Sequence, residues 1–136
     1  MTSMMTAERW LYSKLTGDST LTGLVSTRIY NGVAPTSATY PLVTYSSLSG
    51  VDVNGVGAVF AMENELFMVK AIIKSTSWGT AETIANRINT LLHKAAGAVT
   101  GGTVISCVRL YVDKLDEIDN GVRYKTIMQR YRIHTR

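Results

Sequence analysis

The sequence predicts an α+β protein: an antiparallel β-sheet with hairpins, packed against two α-helices on one face. Three features carry this. Thr80 to Ala95 places Ala81, Ile84, Ala85, Ile88, Leu91, Leu92 and Ala95 at the three-and-four spacing of one helical face. Phe60 to Lys74 and the stretch from Val104 to Val112 have the length and alternation of strands. Asn120-Gly121, between two strand-like runs, is a hairpin turn signal. At 136 residues the chain is the size of one domain, expected to span 1–136.

Taken in order, Thr6 is placed to cap a first helix running to about Leu15, with Trp10, Leu11 and Leu15 on its buried stripe. Gly17 ends it and Asp18 caps a short second helical turn that carries Leu21, Leu24 and Val25. Arg28-Ile29-Tyr30 reads as a brief strand. After a loop, Tyr40-Pro41 starts an extended run through Tyr45. Leu48 to Gly57 reads as a long, flexible hairpin connection. In the Phe60–Lys74 strand, Leu66, Met68 and Ile72 share one face, and Phe67, Val69, Ala71 and Ile73 the other. Apolar residues on both faces predict a central strand. Ser77 or Thr80 is placed to cap the main helix and Gly97 to end it. An acidic connection then joins the 104–112 strand to a closing strand, Val122 to His134, with Ile127, Tyr131 and Ile133 inward and Arg130, Arg132 and His134 outward.

Composition excludes several classes. Hydrophobic residues make up 46% and charged ones 18%, a globular balance. The N-terminal MTSMMTAERW lacks the basic region and apolar run of a signal peptide, and the longest apolar stretch, Phe67–Ile73, is broken by Lys70. No export and no membrane partner are expected. Cys107 stands alone, so neither an intrachain disulfide nor a cysteine metal site can form.

No stretch of the sequence carries a complete catalytic or ligand-binding motif. Asn54-Gly55-Val56-Gly57 lacks the third glycine of a dinucleotide loop, since Phe60 stands there and no helix follows. The segment from Asp113 fails calcium-loop spacing at Lys114 and Ile118. His93 and His134 have no partner at ligand or triad spacing. No catalytic residue, metal or cofactor is therefore expected.

Charge gives the remaining signal. Fourteen Lys and Arg against ten Asp and Glu leave a net +4, distributed unevenly. Asp113, Asp116, Glu117 and Asp119 crowd one segment, and Arg123, Lys125, Arg130 and Arg132 follow with no acid among them. Three readings stay open: a solvated edge whose charges deter stray pairing, an ion-pairing interface between neighbouring copies, or a small basic nucleic-acid-binding protein.

Four stretches, read together, give a family resemblance. They are Gly17–Pro35 after the first helix (GDSTLTGLVSTRIYNGVAP), Tyr40–Gly50 (YPLVTYSSLSG), Val69–His93 (VKAIIKSTSWGTAETIANRINTLLH) and Asp116–Ile133 (DEIDNGVRYKTIMQRYRI). In this order the chain resembles the tail-completion, or tail terminator, family of long-tailed bacteriophages. The resemblance implies a hexameric ring at the head-proximal end of the tail, made of copies of one α+β subunit. Such a ring stops growth of the tube, contacts the major tail tube protein and offers a docking face to the neck or head-completion protein. DNA is then met only as it passes through the lumen. A neck protein that joins heads to tails is the nearest alternative. The candidate contact residues are Val51, Asp52, Asn54 and Val56 in the 48–59 loop, then the four acids and four bases named above.

Overall fold

The computed structural model describes residues 5–54 and 60–136, with the side chains of 52–54 and 60–62 outside that description. Three helices, α1 (Thr6–Thr16), α2 (Ser19–Val25) and α3 (Gly79–Leu92), accompany six strands. These are β1 (Ile29–Asn31), β2 (Leu42–Asn54), β3 (Phe60–Lys74), β4 (Gly97–Val99), β5 (Gly102–Asp119) and β6 (Val122–Thr135). They form one sheet in the order β1-β2-β3-β6-β5-β4.

The sheet is mixed, which corrects the purely antiparallel expectation. β1 runs parallel to β2, with Ile29 opposite Val43, because the 32–41 connection returns the chain to the same end of the sheet before β2 begins. Every other pairing is antiparallel. There are also three helices where the sheet was expected to carry two: the turn after Asp18 is a full short helix. Asp18 caps it, its carboxylate accepting from the Leu21 N–H at 2.8 Å. The same carboxylate meets Arg87 of α3 at 2.7 Å, so one residue starts α2 and ties it to α3.

Alternation places the core. Phe67, Val69, Ala71 and Ile73 of β3 share a face with Val43 and Tyr45 of β2 and Ile127, Tyr131 and Ile133 of β6. These join Trp10, Leu11 and Leu15 of α1 and Ala81, Ile84, Ala85, Ile88 and Leu92 of α3 in one buried cluster. The opposite face of β3, with Leu66, Met68 and Ile72, is only partly buried. A glutamine stands at the centre of the covered face. Gln129 is fully buried; its Nε2 donates to the Ala85 carbonyl of α3 at 3.0 Å, and its Oε1 accepts from Arg109 and from the Tyr131 hydroxyl.

Several local expectations shift. Met5, not Thr6, occupies the N-cap position of α1; Thr6 is buried in the first turn. Trp78 occupies the N-cap position of α3 without a side-chain capping bond, and the Ser77 hydroxyl before it accepts from the Gly79 N–H at 3.3 Å. α3 stops at Leu92 because His93 turns extended at ψ 123°, with Lys94 following at φ 63°, and Gly97 opens β4 instead of ending the helix. Two bulges in β5, at 104–106 and 109–111, break the simple alternation and turn Val104 and Cys107 inward. Both expected connections prove to be strand where they are described, with 55–57 of the first lying outside the described residues. β2 continues to Asn54, and β5 runs through the acidic segment to Asp119, leaving only Asn120 and Gly121 as the turn, at φ 50° and 77°. Those left-handed angles are what Asn-Gly supplies.

Candidate assembly surface

The two long hairpins extend from opposite ends of the sheet. Glu63 of β3 lies opposite Thr135 of β6 and Lys74 opposite Tyr124, so the described end of the β2–β3 pair, Asn54 opposite Phe60, lies just past the end of β6, and the β5–β6 turn lies at its start. The candidate residues therefore form two groups. Val51 is exposed on β2, and Asp52 and Asn54 follow it on the same strand, opposite Glu63 and Phe60. Val56 lies outside the described residues. Asp113, Asp116, Glu117, Asp119, Arg123, Lys125, Arg130 and Arg132 belong to the other hairpin.

In that second group, acid and base meet within one chain. Asp116 lies opposite Lys125 in the ladder and bonds its Nζ at 2.6 Å, with Arg123 at 3.3 Å. Arg130 approaches Asp113 at 3.9 Å and lies over the Tyr111 ring. The hydrogen bond from Lys125, against a smaller effect of burial, holds the Asp116 carboxyl below its usual range. Cross-strand pairing of opposite charges helps so polar a segment to be strand: Asp116 and Asp113 find bases on β6, while Glu117 and Asp119 lie opposite Tyr124 and Val122.

Trp78, at the start of α3, anchors the hairpin. The ammonium of Lys125 sits 4.9 Å from its ring centre and that of Lys114 5.4 Å, and Lys125 is almost wholly buried between ring and carboxylate. Beyond this anchor, every residue from Tyr111 to Arg123 is exposed, including Tyr111, Val112, Leu115 and Ile118. Sequence reasoning did not single out Trp78 or these apolar residues. The available signal was apolar residues interleaved with the acids, which marks a strand with two exposed faces rather than a solvated loop.

Among the described residues, no cluster of three or more His, Cys, Asp or Glu is placed to hold a metal ion, and no helix is long and apolar enough to cross a membrane. The chain belongs to the family of tail completion protein gp17, whose model matches residues 9–136. It is accordingly a structural component of a bacteriophage-type virion tail. Its fold is similar to that of a chain in the virion of a native gene transfer agent particle, with a TM-score of 0.69 and 20% identity over 91% of each chain. No curated protein matches it.

Proposed function

We propose that copies of this chain form a ring, hexameric as in the implied family architecture, at the head-proximal end of the tail tube. The ring ends tube growth by covering the surface that would bind the next ring of tube protein, and its other side receives the neck of the head. The mechanism is geometric and uses no reacting group. The observation that carries this reading is the tail-completion family match across residues 9–136. The exposed arms at both ends of the sheet support it, since they give one subunit contacts at two levels. The nucleic-acid reading is weakened by the pairing of Arg123, Lys125 and Arg130 with carboxylates of their own hairpin.

Electron microscopy of lysates from particles lacking this gene tests the proposal. Abnormally long, headless tails are expected. Tails of normal length beside filled heads would instead assign the chain to head–tail joining, and normal particles would refute both roles.

A further inference from the structure

The sheet has two open edges. β4 covers β5 only at Gly102–Val104. Further along, the Lys94 N–H donates to the Cys107 carbonyl at 2.6 Å and the Arg109 N–H to His93 Nδ1 at 3.0 Å. Past Arg109, no described residue bonds the outer side of β5, and each residue from Tyr111 to Asp119 is exposed. At the other edge, β1 covers β2 only at Val43–Tyr45, with the Gly32 N–H donating to the Tyr45 carbonyl; Ser47 to Val51 are exposed.

The ladder fixes which backbone groups these edges offer. In an antiparallel strand, alternate residues point both N–H and C=O to the same side. Cys107 and Arg109 point outward, and carrying that phase through the 109–111 bulge makes Val112, Lys114, Asp116 and Ile118 outward as well. On β2, Val43 and Tyr45 point outward and so does Ser47. On both edges the side chains of these residues lie on the helix-covered face: Tyr45 is in the core, and Asp116 meets Lys125 beside Trp78. Between the edges lie four long strands, β2, β3, β6 and β5, alternating in direction. A second copy brought alongside with its helices on the same side therefore presents β2 antiparallel to β5.

From this geometry we infer that the open edge of β5, residues 111–119, pairs with the open edge of β2 in a second copy of the chain, continuing the sheet from subunit to subunit. The inference rests on the proposed ring and names the contact that closes it. Charge selects the occupant. The 111–119 segment holds four carboxylates against the single Lys114, so two copies of this edge repel. Ser46 to Val51 carries no charge. With β5-to-β5 contact disfavoured, β5-to-β2 pairing is the one arrangement left that covers both edges of every copy, and such head-to-tail contacts close into rings. Exposed Val112 and Ile118, a liability on a lone edge, gain cover on pairing.

Two measurements on the purified full-length chain test this. Opposed residues of adjacent antiparallel strands bring Cα atoms to about 4.5–5.5 Å, within disulfide range. Ser47→Cys combined in turn with Val112→Cys, Lys114→Cys, Asp116→Cys or Ile118→Cys should, under mild oxidation, give a ladder of linked oligomers from at least one pair and none from any single variant. Native Cys107 does not interfere, since burial pushes its thiol up to about 12. The second measurement is native mass spectrometry. Lys114→Pro removes an outward N–H without touching the β6 ladder and should abolish the oligomer, while Lys114→Ala, which keeps the N–H, retains it; thermal melting checks that both fold. If the wild type forms rings and no pair cross-links, or if Lys114→Pro assembles normally, edge pairing is overturned while the ring stands. Cross-linking of a β5 variant with itself would also overturn it. A wild type that stays monomeric at all concentrations would overturn the ring reading too.

Discussion

Replacing Gln129 tests what fixes the main helix to the sheet. Gln129→Leu keeps the volume and loses three hydrogen bonds: to the Ala85 carbonyl at 3.0 Å, from Arg109 Nη1 at 3.1 Å and from the Tyr131 hydroxyl at 3.0 Å. Each bond contributes about 0.5–1.5 kcal/mol net, a gross loss of roughly 3 kcal/mol. Two facts reduce it. Tyr131 retains Asn89 at 3.2 Å, and Arg109 is partly exposed and can turn to water. Leucine also recovers about 1 kcal/mol by burying apolar surface. The expected net destabilisation is about 2 kcal/mol, or roughly 6–8 °C in Tm for a chain of this length. Thermal and urea melts of wild type, Gln129→Leu, Tyr131→Phe and the double variant give the magnitude and the coupling. Because the two residues share a bond, the double variant should lose less than the single losses combined. A Gln129→Leu protein as stable as wild type, or strictly additive losses, would refute the view that this buried amide holds α3 in place.

Two further predictions concern carboxylates. Glu65 is buried opposite Ile133; burial, with the hydrogen bond and charge of Glu63 and the charge of Glu8, pushes its carboxyl up to about 8. The folded state then keeps a proton the unfolded chain has released, so stability should fall as pH rises from about 4.5 to about 8 and level off above. Melts across pH should show Glu65→Gln, which mimics the protonated form, flattening this fall; an unchanged slope would count against it. Asp18 behaves oppositely. The Arg87 hydrogen bond, aided by the Leu21 N–H, lowers its carboxyl below 3.8, so its contribution is present above that pH and lost as pH falls through the lowered value. Asp18→Ala should cost about 1 kcal/mol for the lost cap and more for the lost tie to α3, with the deficit narrowing in acid on calorimetry.

Residues that follow one local rule were legible in advance. The apolar face of α3, the inward set Ile127, Tyr131 and Ile133, and the Asn120-Gly121 turn needed only periodicity and turn chemistry. Three features depended on distant partners and were not. The parallel seat of β1 is set by where β2 lies, which no window around Ile29 contains. The strand character of 113–119 needed Arg123, Lys125 and Arg130 placed across the ladder, because Asp and Glu disfavour strands when read alone. The β5 bulges changed which residues face inward, and nothing local marks them. At the assembly surface the charged residues were visible in the sequence. What was hidden was their pairing within one hairpin and the Trp78 ring beneath it.

The opposed hairpin tips carry a consequence for polarity. A subunit with one arm described as far as Asn54 and the other turning at Asn120-Gly121 presents chemically unlike extremities to the two ends of any stack it joins. The β5–β6 extremity interleaves four acids with Lys114, Arg123 and Lys125, whereas the β2–β3 arm carries acids alone, with Asp52 opposite Glu63. In the proposed ring, the two rims are then different molecules to whatever approaches along the axis. A layer recognised on one rim is not recognised on the other. A ring assembled as proposed is thus a one-way terminus, accepting the tube on one rim without offering the same surface on the other.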